Sequence, residues 1–279
     1  MVTIGIDIGS ISAKAAAIAD GRLLGSKVIL TGYNARQAGM SVFEGLLKEL
    51  AIDRDAVDRI VATGYGRNSV DFADQAVTEI TCHAAGAHFQ DPEVRAVIDI
   101  GGQDSKSIKL VNGKVADFIM NDKCAAGTGR FLEVIADALG VPLAEIGRIS
   151  LLADNPARIS NTCTVFAEQE IVSQLAGGET GANLIAGIHD AVATRVYAIA
   201  NKLKVEPDVA ITGGGAKNIG LVQALEAKCG SPVLVPPEPL ITGALGAALI
   251  GRETFEKARK AGRPLPRNKS GLEEARFFS

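Results

Sequence analysis

Apolar and polar residues follow two different periods along the chain, and this pattern predicts a protein of mixed strands and helices. Segments of period two and short apolar runs, both typical of strands, occur at the start of the chain and again near residue 97. Segments with apolar residues every three or four positions, typical of amphipathic helices, follow each of them. The predicted strands are residues 4–8, 13–19, 97–100, 105–111, 114–119 and 209–212. The predicted helices are residues 35–50, 129–139, 166–175, 183–203, 217–228 and 243–250.

The chain contains an internal repeat. Ile-Asp-Ile-Gly occurs at residues 6–9 and again ninety-two residues later, at residues 98–101. Each copy is an apolar strand, an Asp-x-Gly turn and a returning strand, and the second copy continues through Asn112-Gly113, a strong hairpin signal. Duplicated units of this kind predict two similar α/β lobes that face each other, with the ligand site in the cleft between them.

The repeat also sets the expected domain boundaries. The N-terminal lobe is predicted over residues 1–92 and the C-terminal lobe, which carries the cysteines of interest, over residues 93–262. The last helix, 243–250, could pack back on the first lobe. A polar tail with two prolines follows over residues 263–279, and we expect it to be poorly ordered.

Composition narrows the class of protein. The chain has 279 residues, 47% of them hydrophobic, which is enough for two lobes that each bury a core. A net charge of −3 and the lack of a long Lys/Arg stretch argue against nucleic acid or an anionic membrane as partner. With no apolar leader and no run of 18 uncharged apolar residues, we expect a cytoplasmic protein. Four cysteines then favour packing, metal binding or catalysis over disulfides.

Three glycine-containing turns predict a site for a nucleoside triphosphate. Glycine lets the backbone approach phosphate oxygens, and an aspartate at the strand end can hold Mg²⁺ through water. One such turn alone is as often an ordinary tight turn, so the argument depends on all three. Neither the P-loop nor the dinucleotide-binding glycine motif is present. The predicted ATP-binding residues are Gly9, Ser10, Ser12, Lys14, Gly101, Gly102, Gln103, Gly213, Gly214, Gly215 and Lys217.

The same turns suggest the remaining roles in phosphoryl transfer. Asp7 and Asp99 are predicted to bind Mg²⁺, through water. Gln103 or Asp104 would orient the attacking water, and phosphoryl transfer needs little further covalent help. The turn from Gly213 to Lys217 has the chemistry to lie against ribose, adenine or the α-phosphate.

Cys124 and Cys163 each precede a predicted helix, where the dipole and free N–H groups favour a thiolate and an anionic cluster. Two thiolates complete neither a tetrahedral zinc site nor a [4Fe–4S] cluster, but a two-fold homodimer would supply four. From the residues alone, Cys124 and Cys163 are equally well explained as metal ligands and as small side chains packed in the core. Buried packing is the expectation for the other cysteines, and a core or surface position for the histidines. These residues are Cys82, Cys229, His83, His88 and His189.

The turns together resemble the actin, sugar kinase and Hsp70 ATPase superfamily, in which ATP lies between two duplicated α/β lobes. Nearly the whole chain also resembles a narrower family, the activator ATPases of 2-hydroxyacyl-CoA dehydratases, shared with the ATPase subunits of benzoyl-CoA reductase. The run around Cys124 is the most specific match. The matching stretches are GIDIGSISAK (5–14), ATGYGR (62–67), TEITCHA (78–84), VIDIGGQDSK (97–106), MNDKCAAGTGRFLE (120–133), CTVFAE (163–168) and ITGGGAKN (211–218).

This resemblance implies a homodimer bridged by one [4Fe–4S] cluster on Cys124 and Cys163, with ATP and Mg²⁺ in each subunit. It implies that ATP hydrolysis drives one-electron transfer to an iron–sulfur dehydratase or related reductase, with ferredoxin or flavodoxin as electron donor. Small departures from the family pattern, at Ser10-Ile11-Ser12, Gln169 and Gly215, remove no proposed ligand but leave the partner and its substrate open. Two alternatives remain: a small-molecule (sugar) kinase with incidental cysteines, and an ATP-switched regulator without enzymatic activity.

Overall fold

The structure of the chain, a computed structural model, describes residues 1–160, 163–263, 265 and 267–268. Most of the predicted polar tail, residues 263–279, lies outside the described residues. The expectation that this tail is poorly ordered therefore stays a prediction. The chain divides into two compact units. Unit 1 comprises Met1–Pro92, Gly113–Val115 and the described residues from Leu240 onward. Unit 2 comprises Glu93–Asn112 and the described residues of Ala116–Pro239.

Strands and helices succeed one another along both units. The strands are β1 (Val2–Ile8), β2 (Ser12–Ala19), β3 (Arg22–Leu30), β4 (Val57–Thr63), β5 (Gln75–Ala76), β6 (Ala96–Ile100), β7 (Ser105–Val111), β8 (Lys114–Asn121) and β9 (Val209–Thr212). The helices are α1 (Ala35–Leu50), α2 (Glu79–Gln90), α3 (Gly129–Leu139), α4 (Ile146–Ser150), α5 (Thr164–Ala176), α6 (Gly181–Lys202), α7 (Ile219–Cys229) and α8 (Thr242–Lys260). Among the described residues, no helix is long and apolar enough to cross a bilayer.

Unit 1 is built on a five-stranded sheet in the order β3-β2-β1-β4-β5. The central strand β1 pairs antiparallel with β2 and parallel with β4. On one face, Ile4 and Ile6 belong to the same buried cluster as Phe43 of α1. On the other face, Ile18 of β2 packs in a cluster with Leu245 of α8. With helices on both faces, the sheet buries even the polar residues near the end of its central strand.

Unit 2 repeats this pairing on a smaller sheet, in the order β8-β7-β6-β9. Its central strand β6 pairs antiparallel with β7 and parallel with β9, as β1 does with β2 and β4. Ile98 and Ile100 of β6 share a buried cluster with Phe131 of α3 and Ile188 of α6. The internal repeat in the sequence therefore corresponds to a repeated three-strand arrangement.

The ends of two predicted helices are confirmed because capping residues set them. Asn34 precedes α1, and its side chain accepts a hydrogen bond from the backbone of Gln37. Gly140, with φ of 66°, ends α3 in the left-handed conformation that glycine adopts readily. The helix predicted over 217–228 begins later, at Ile219, because Asn218 caps it and accepts from Leu221 N–H at 3.1 Å.

The last helix is longer than the apolar pattern predicts. The apolar stripe ends near Ile250, but α8 continues to Lys260. Its second half carries two ion pairs at i, i+4 spacing, Arg252 with Glu256 and Glu253 with Lys257. Such pairs stabilise an exposed helix without contributing apolar residues, so hydrophobic periodicity does not detect it. Sequence reasoning also left out the strands and helices β3, β4, β5, α2 and α4.

Candidate functional site

The first candidate turn joins β1 to β2 in unit 1. Asp7, next to the end of β1, lies opposite Lys14 of β2 in the strand register. Lys14 Nζ lies 3.3 Å from Asp7 Oδ2, and the carboxylate is almost fully buried. The N–H of Gly9 donates to the carbonyl of Ser12 at 3.0 Å and closes the turn. Ser10 at its tip is exposed. The turn therefore presents backbone and a hydroxyl beside an ammonium group, a set of donors suited to phosphate.

The second candidate turn joins β6 to β7 in unit 2 and has the same plan. Asp99 lies opposite Lys106 in the register, and Gly101 N–H donates to the Asp104 carbonyl at 3.0 Å. Lys106 Nζ lies 3.0 Å from Asp99 Oδ2 and 2.8 Å from Asp104 Oδ2. The Lys106 side chain is only 4% exposed, whereas Gln103 at the tip is exposed. Asp104 is therefore bound into the turn, and Gln103 is open to solvent.

A threonine–glycine turn at the end of β9 lies next to the second Asp-x-Gly turn and contacts its aspartate. Thr212 Oγ1 donates to Asp99 Oδ1 at 2.7 Å. Gly213 follows with φ of 78°, and a Cβ there would lie 2.5 Å from the carbonyl oxygen of Ile100. Both the positive φ and the close approach require glycine. Asp99 is thus held by a lysine from one neighbouring strand and a threonine from the other.

Unit 1 contains the same threonine–glycine turn, at Thr63 and Gly64 after β4. Thr63 lies opposite Asp7 in the parallel register. Gly64 has φ of 87°, and a Cβ there would lie 2.3 Å from Asp7 Oδ1. His83 also borders the carboxylate, since a Cβ on Gly243 would lie 3.0 Å from both His83 Nε2 and Asp7 Oδ2. The surroundings of Asp7 therefore include two features that sequence reasoning did not assign to the site.

The predicted nucleoside turn forms a short 3₁₀ segment, Gly214–Lys217. Gly214 and Lys217 are exposed, while Gly215 is buried against Ile100. The amide of the next residue, Asn218, bonds to His189 Nε2 at 2.9 Å. Burial lowers the pKa of His189 to about 4, so its ring is neutral at pH 7 and supports the turn structurally.

Cys124 lies in unit 2, in the loop between β8 and α3. The side-chain amide of Asn121 donates to the Cys124 carbonyl at 2.9 Å and to the Ala126 carbonyl at 3.4 Å. The guanidinium of Arg195 on α6 donates to Cys124 Sγ at 3.4 Å. The thiol is half-buried and lies four residues before Thr128, the N-cap of α3. The sulfur is therefore placed by loop hydrogen bonds and a cationic donor rather than at the helix cap itself.

Cys163, also in unit 2, is exposed and is the N-cap residue of α5, with no side-chain hydrogen bond to that helix end. Its preceding neighbours, Asn161 and Thr162, lie outside the described residues. The remaining cysteines differ: burial raises the pKa of the Cys82 thiol to about 12, and burial also raises the pKa of Cys229. Cys124 and Cys163 are therefore the better placed pair for metal ligation.

Within the described part of one chain, no three His, Cys, Asp or Glu side chains converge in a way that could hold a metal ion. Cys124 and Cys163 are two potential thiolate ligands per chain. A cluster that needs four thiolates would require a second copy of the chain.

Comparison with known proteins identifies the family. A model described as the BadF/BadG/BcrA/BcrD ATPase family matches residues 4–251. The chain belongs to this ATPase family. The activator of lactoyl-CoA dehydratase from Anaerotignum propionicum is 44% identical over 259 residues, which cover 92% of this chain and 100% of the relative. The predicted resemblance to dehydratase activators is therefore confirmed.

Solved structures show the fold of this BadF/BadG/BcrA/BcrD family member. The activator of the 2-hydroxyisocaproyl-CoA dehydratase from Clostridium difficile, with bound ADPNP, superposes with a TM-score of 0.88 at 41% identity, covering 94% of this chain and 98% of that one. A ROK family glucokinase from Streptomyces griseus has a TM-score of 0.58 at 15% identity, covering 91% of this chain and 100% of that one. The predicted ATPase fold of the actin and sugar-kinase type is confirmed.

In this member of the BadF/BadG/BcrA/BcrD family, Lys106 is the most important site residue that sequence reasoning missed, because it pairs with both Asp99 and Asp104. A signal for it was present, because a lysine follows the turn aspartate by seven positions in both copies, Asp7 to Lys14 and Asp99 to Lys106. Thr-Gly-x-Gly likewise occurs twice, at residues 63–66 and 212–215, and each time its threonine is the last residue of a strand. Aligning the two copies residue by residue would have found both signals.

Proposed function

We propose that this protein hydrolyses ATP in order to reduce a partner enzyme by one electron, the partner being an iron–sulfur 2-hydroxyacyl-CoA dehydratase or a related reductase. Membership of an ATPase family supports the hydrolysis. Relatives named as activators of dehydratases support the class of partner. One observation carries the coupling of the two activities: within unit 2, the second turn is hydrogen-bonded to the first residues of α3, the helix that directly follows the Cys124 loop.

Two backbone hydrogen bonds make this contact. Gly129 N–H donates to the carbonyl of Gly101, and Arg130 N–H donates to the carbonyl of Gly102, both at 2.8 Å. Gly101 and Gly102 are the proposed phosphate contacts of the second turn, and Gly129 is the first residue of α3, five residues after Cys124. A shift of the turn when phosphate binds or leaves would therefore pass to the cysteine loop through main-chain contacts.

The first turn supplies the phosphate contacts in unit 1. Gly9 and Ser10 would bind phosphate oxygens through backbone N–H groups and a hydroxyl, and Ser12 adds a second hydroxyl. Lys14 would offset phosphate charge, since among the described residues it pairs with one carboxylate, at 3.3 Å, which leaves donor capacity on the ammonium. The turn over residues 213–217 would hold the nucleoside, with the exposed Lys217 beside it.

Asp7 and Asp99 are proposed to bind Mg²⁺ through water. Each carboxylate already pairs with a lysine, Asp7 with Lys14 and Asp99 with the buried Lys106, so a direct metal bond would have to displace an ammonium. Coordination through a water shell avoids this, and Mg²⁺ usually retains several of its waters in proteins.

Gln103 is the better candidate for orienting the attacking water. It is exposed at the tip of the second turn. Asp104 is occupied instead, because its carboxylate pairs with Lys106 at 2.8 Å and its carbonyl closes the turn. An uncharged amide can hold water by hydrogen bonds without repelling the γ-phosphate, which suits this role.

The surroundings of Cys124 and Cys163 fit a shared anionic cluster. Arg195 places a cationic donor 3.4 Å from Cys124 Sγ, and Cys163 is the N-cap residue of α5, where its own side chain makes no cap hydrogen bond among the described residues. Both features stabilise negative charge. Two copies of the chain would supply the four thiolates of one [4Fe–4S] cluster in a homodimer. Such a cluster supplies one-electron redox chemistry, with ferredoxin or flavodoxin as the proposed donor.

The proposal is tested by purifying the protein without oxygen and measuring iron and acid-labile sulfide per dimer. Three forms are compared: wild type, Cys124→Ala, and Cys229→Ser as a matched control at a half-buried cysteine. We expect about four irons and four sulfides per dimer in wild type and in Cys229→Ser. Cys124→Ala should lose the iron and keep most of its affinity for ATP, because the nucleotide turns do not include this residue.

An iron-replete dimer of Cys124→Ala would refute ligation by Cys124. A colourless wild-type protein that binds ATP but no iron would refute the electron-transfer function. If that iron-free protein consumed ATP only when a sugar was added, the small-molecule kinase alternative would replace it. Tight nucleotide binding with negligible turnover and no iron would indicate the non-enzymatic regulator.

A further inference from the structure

Arg195 is a charged residue that the proposed nucleotide chemistry does not use, yet its side chain is directed at a proposed cluster ligand. It lies on α6, and its Nη2 donates to Cys124 Sγ at 3.4 Å, the usual range for a hydrogen bond to sulfur. The two residues are 71 positions apart in the chain, so their contact is a product of the fold of unit 2. Both are partly buried, which keeps the interaction from being fully screened by water.

The backbone of the cysteine loop also lies close to the aliphatic part of the Arg195 side chain. Gly127 has φ of 94°, and a Cβ there would lie 3.4 Å from Arg195 Cδ and 3.7 Å from its Cγ. The aliphatic part of Arg195 therefore lies beside Gly127, while its guanidinium donates to Cys124.

The helix that carries Arg195 is anchored on both sides of it. Val192 and Val196 of α6 are about 1% exposed and belong to the main buried cluster of unit 2. A donor on a packed helix keeps its position better than a donor on an exposed loop. Lys123 offers a useful contrast, because it adjoins Cys124 in sequence but is 88% exposed and pairs with Asp122 at 3.1 Å.

Resting on the proposed function, we infer that Arg195 is a positioning residue that sets the reduction potential of the centre bound by Cys124. A [4Fe–4S] centre with four thiolates has a net charge of −2, and of −3 after it accepts one electron from the donor protein. A cationic hydrogen bond to a ligand sulfur stabilises the more negative state more strongly, and so raises the potential. Arg195 would thus make the protein easier for its donor to reduce.

The test is a redox titration of the anaerobic dimer, followed by the paramagnetic signal of the reduced state. The variants are Arg195→Met, which keeps an unbranched apolar side chain over Gly127 but removes charge and donor, and Arg195→Lys, which keeps the charge. Lys123→Met is the matched control, since it removes one positive charge close to Cys124 but no hydrogen bond to sulfur. Iron content and melting temperature are measured on every variant.

We expect the midpoint potential of Arg195→Met to shift to more negative values, that of Arg195→Lys to shift less, and that of Lys123→Met to stay near wild type. An unchanged potential in an iron-replete Arg195→Met dimer would overturn the inference, as would an equal shift in Lys123→Met. If Arg195→Met fails to retain iron, Arg195→Gln, which also removes the charge but keeps a polar side chain, takes its place, and an unchanged potential in an iron-replete Arg195→Gln dimer overturns the inference. If none of the Arg195 variants retains iron while Lys123→Met does, Arg195 is needed to assemble the centre and its assignment as a tuning residue is overturned. Absence of iron from wild type would instead refute the proposed function.

Discussion

The two Asp-x-Gly turns share one backbone plan but balance their charges differently. In the first turn, Lys14 faces one carboxylate within the described part of the chain, that of Asp7, at 3.3 Å. In the second, Lys106 lies within 3.0 Å of two carboxylates, those of Asp99 and Asp104. The side chain of Lys14 is 13% exposed, whereas that of Lys106 is only 4% exposed.

This difference in charge gives the two copies of a duplicated element different chemical properties. The strand pairing, the aspartate and the lysine are retained in both copies, and the tip changes from Ser-Ile-Ser to Gly-Gln-Asp. An ammonium with one partner is suited to attract phosphate, whereas two carboxylates on one ammonium leave negative charge that attracts a hydrated cation. We therefore propose that the first turn mainly binds phosphate and the second mainly serves the metal and the attacking water.

The largest expected effect is that of Lys106→Met. It would leave two carboxylates close together, one of them buried, without their cation, and removing one partner of such a buried group costs about 3 to 5 kcal/mol of folding free energy. Urea unfolding monitored by circular dichroism measures this. The control is Lys109→Met on the same strand, since Lys109 bonds only to the carbonyls of Leu203 and Lys204 at 3.3 and 3.2 Å among the contacts described for it. Equal loss of stability in both variants would contradict the special role of Lys106.

Substitution at the tip of the second turn should separate hydrolysis from binding. Gln103→Ala is expected to lower kcat for ATP hydrolysis on the order of 100-fold, since it removes the group that orients water. Its affinity for ATP should change little. Asp104→Asn should instead reduce stability, because it weakens the ion pair to Lys106. Steady-state hydrolysis and calorimetric ATP binding distinguish the two, and loss of turnover in Asp104→Asn with normal turnover in Gln103→Ala would reverse the assignment.

The turn behind Asp7 is tested by Gly64→Ala. A methyl group there would lie 2.3 Å from Asp7 Oδ1 in addition to the strain of φ 87°, and we expect a loss of about 2 to 3 kcal/mol of folding free energy. Gly32→Ala is the control, with φ of 61° and no atom within 4 Å of the new Cβ, for which about 1 kcal/mol is expected. Thermal unfolding compares them. If both variants lose the same stability, the approach of Gly64 to Asp7 is not what matters.

The smallest effect concerns the first turn. Lys14→Met should weaken ATP binding by about tenfold, or about 1.4 kcal/mol, through loss of one charged contact to phosphate. Affinity for AMP, which has only the α-phosphate, should change much less. Fluorescence titration with both nucleotides tests this, and an equal loss for ATP and AMP would show that Lys14 acts on the fold rather than on the outer phosphates.

Much of the architecture was predictable because it depends on local patterns. The apolar period of α1, its cap at Asn34 and the glycine that ends α3 are all encoded within a few residues, and their ends agree with prediction. The repeat at residues 6–9 and 98–101 predicted the two central strands. The second half of α8 was not predictable from apolar spacing, since charged pairs stabilise it.

The candidate site shows the same division. The sequence by itself determined the candidate residues of the turns and the two candidate cysteine ligands. The backbone freedom of glycine, the charge of aspartate and the thiol of cysteine are properties of the residue type and can be recognised before the fold is known. Only the tertiary structure decided how they are used. Cys82 is buried and Cys163 is exposed, so only the second thiol is accessible to a metal. Thr212 donates a hydrogen bond to Asp99 although the two residues are 113 positions apart in the chain. Arg195 reaches Cys124 in the same manner. Burial and long-range pairing arise when strands and helices pack, and no local pattern contains them.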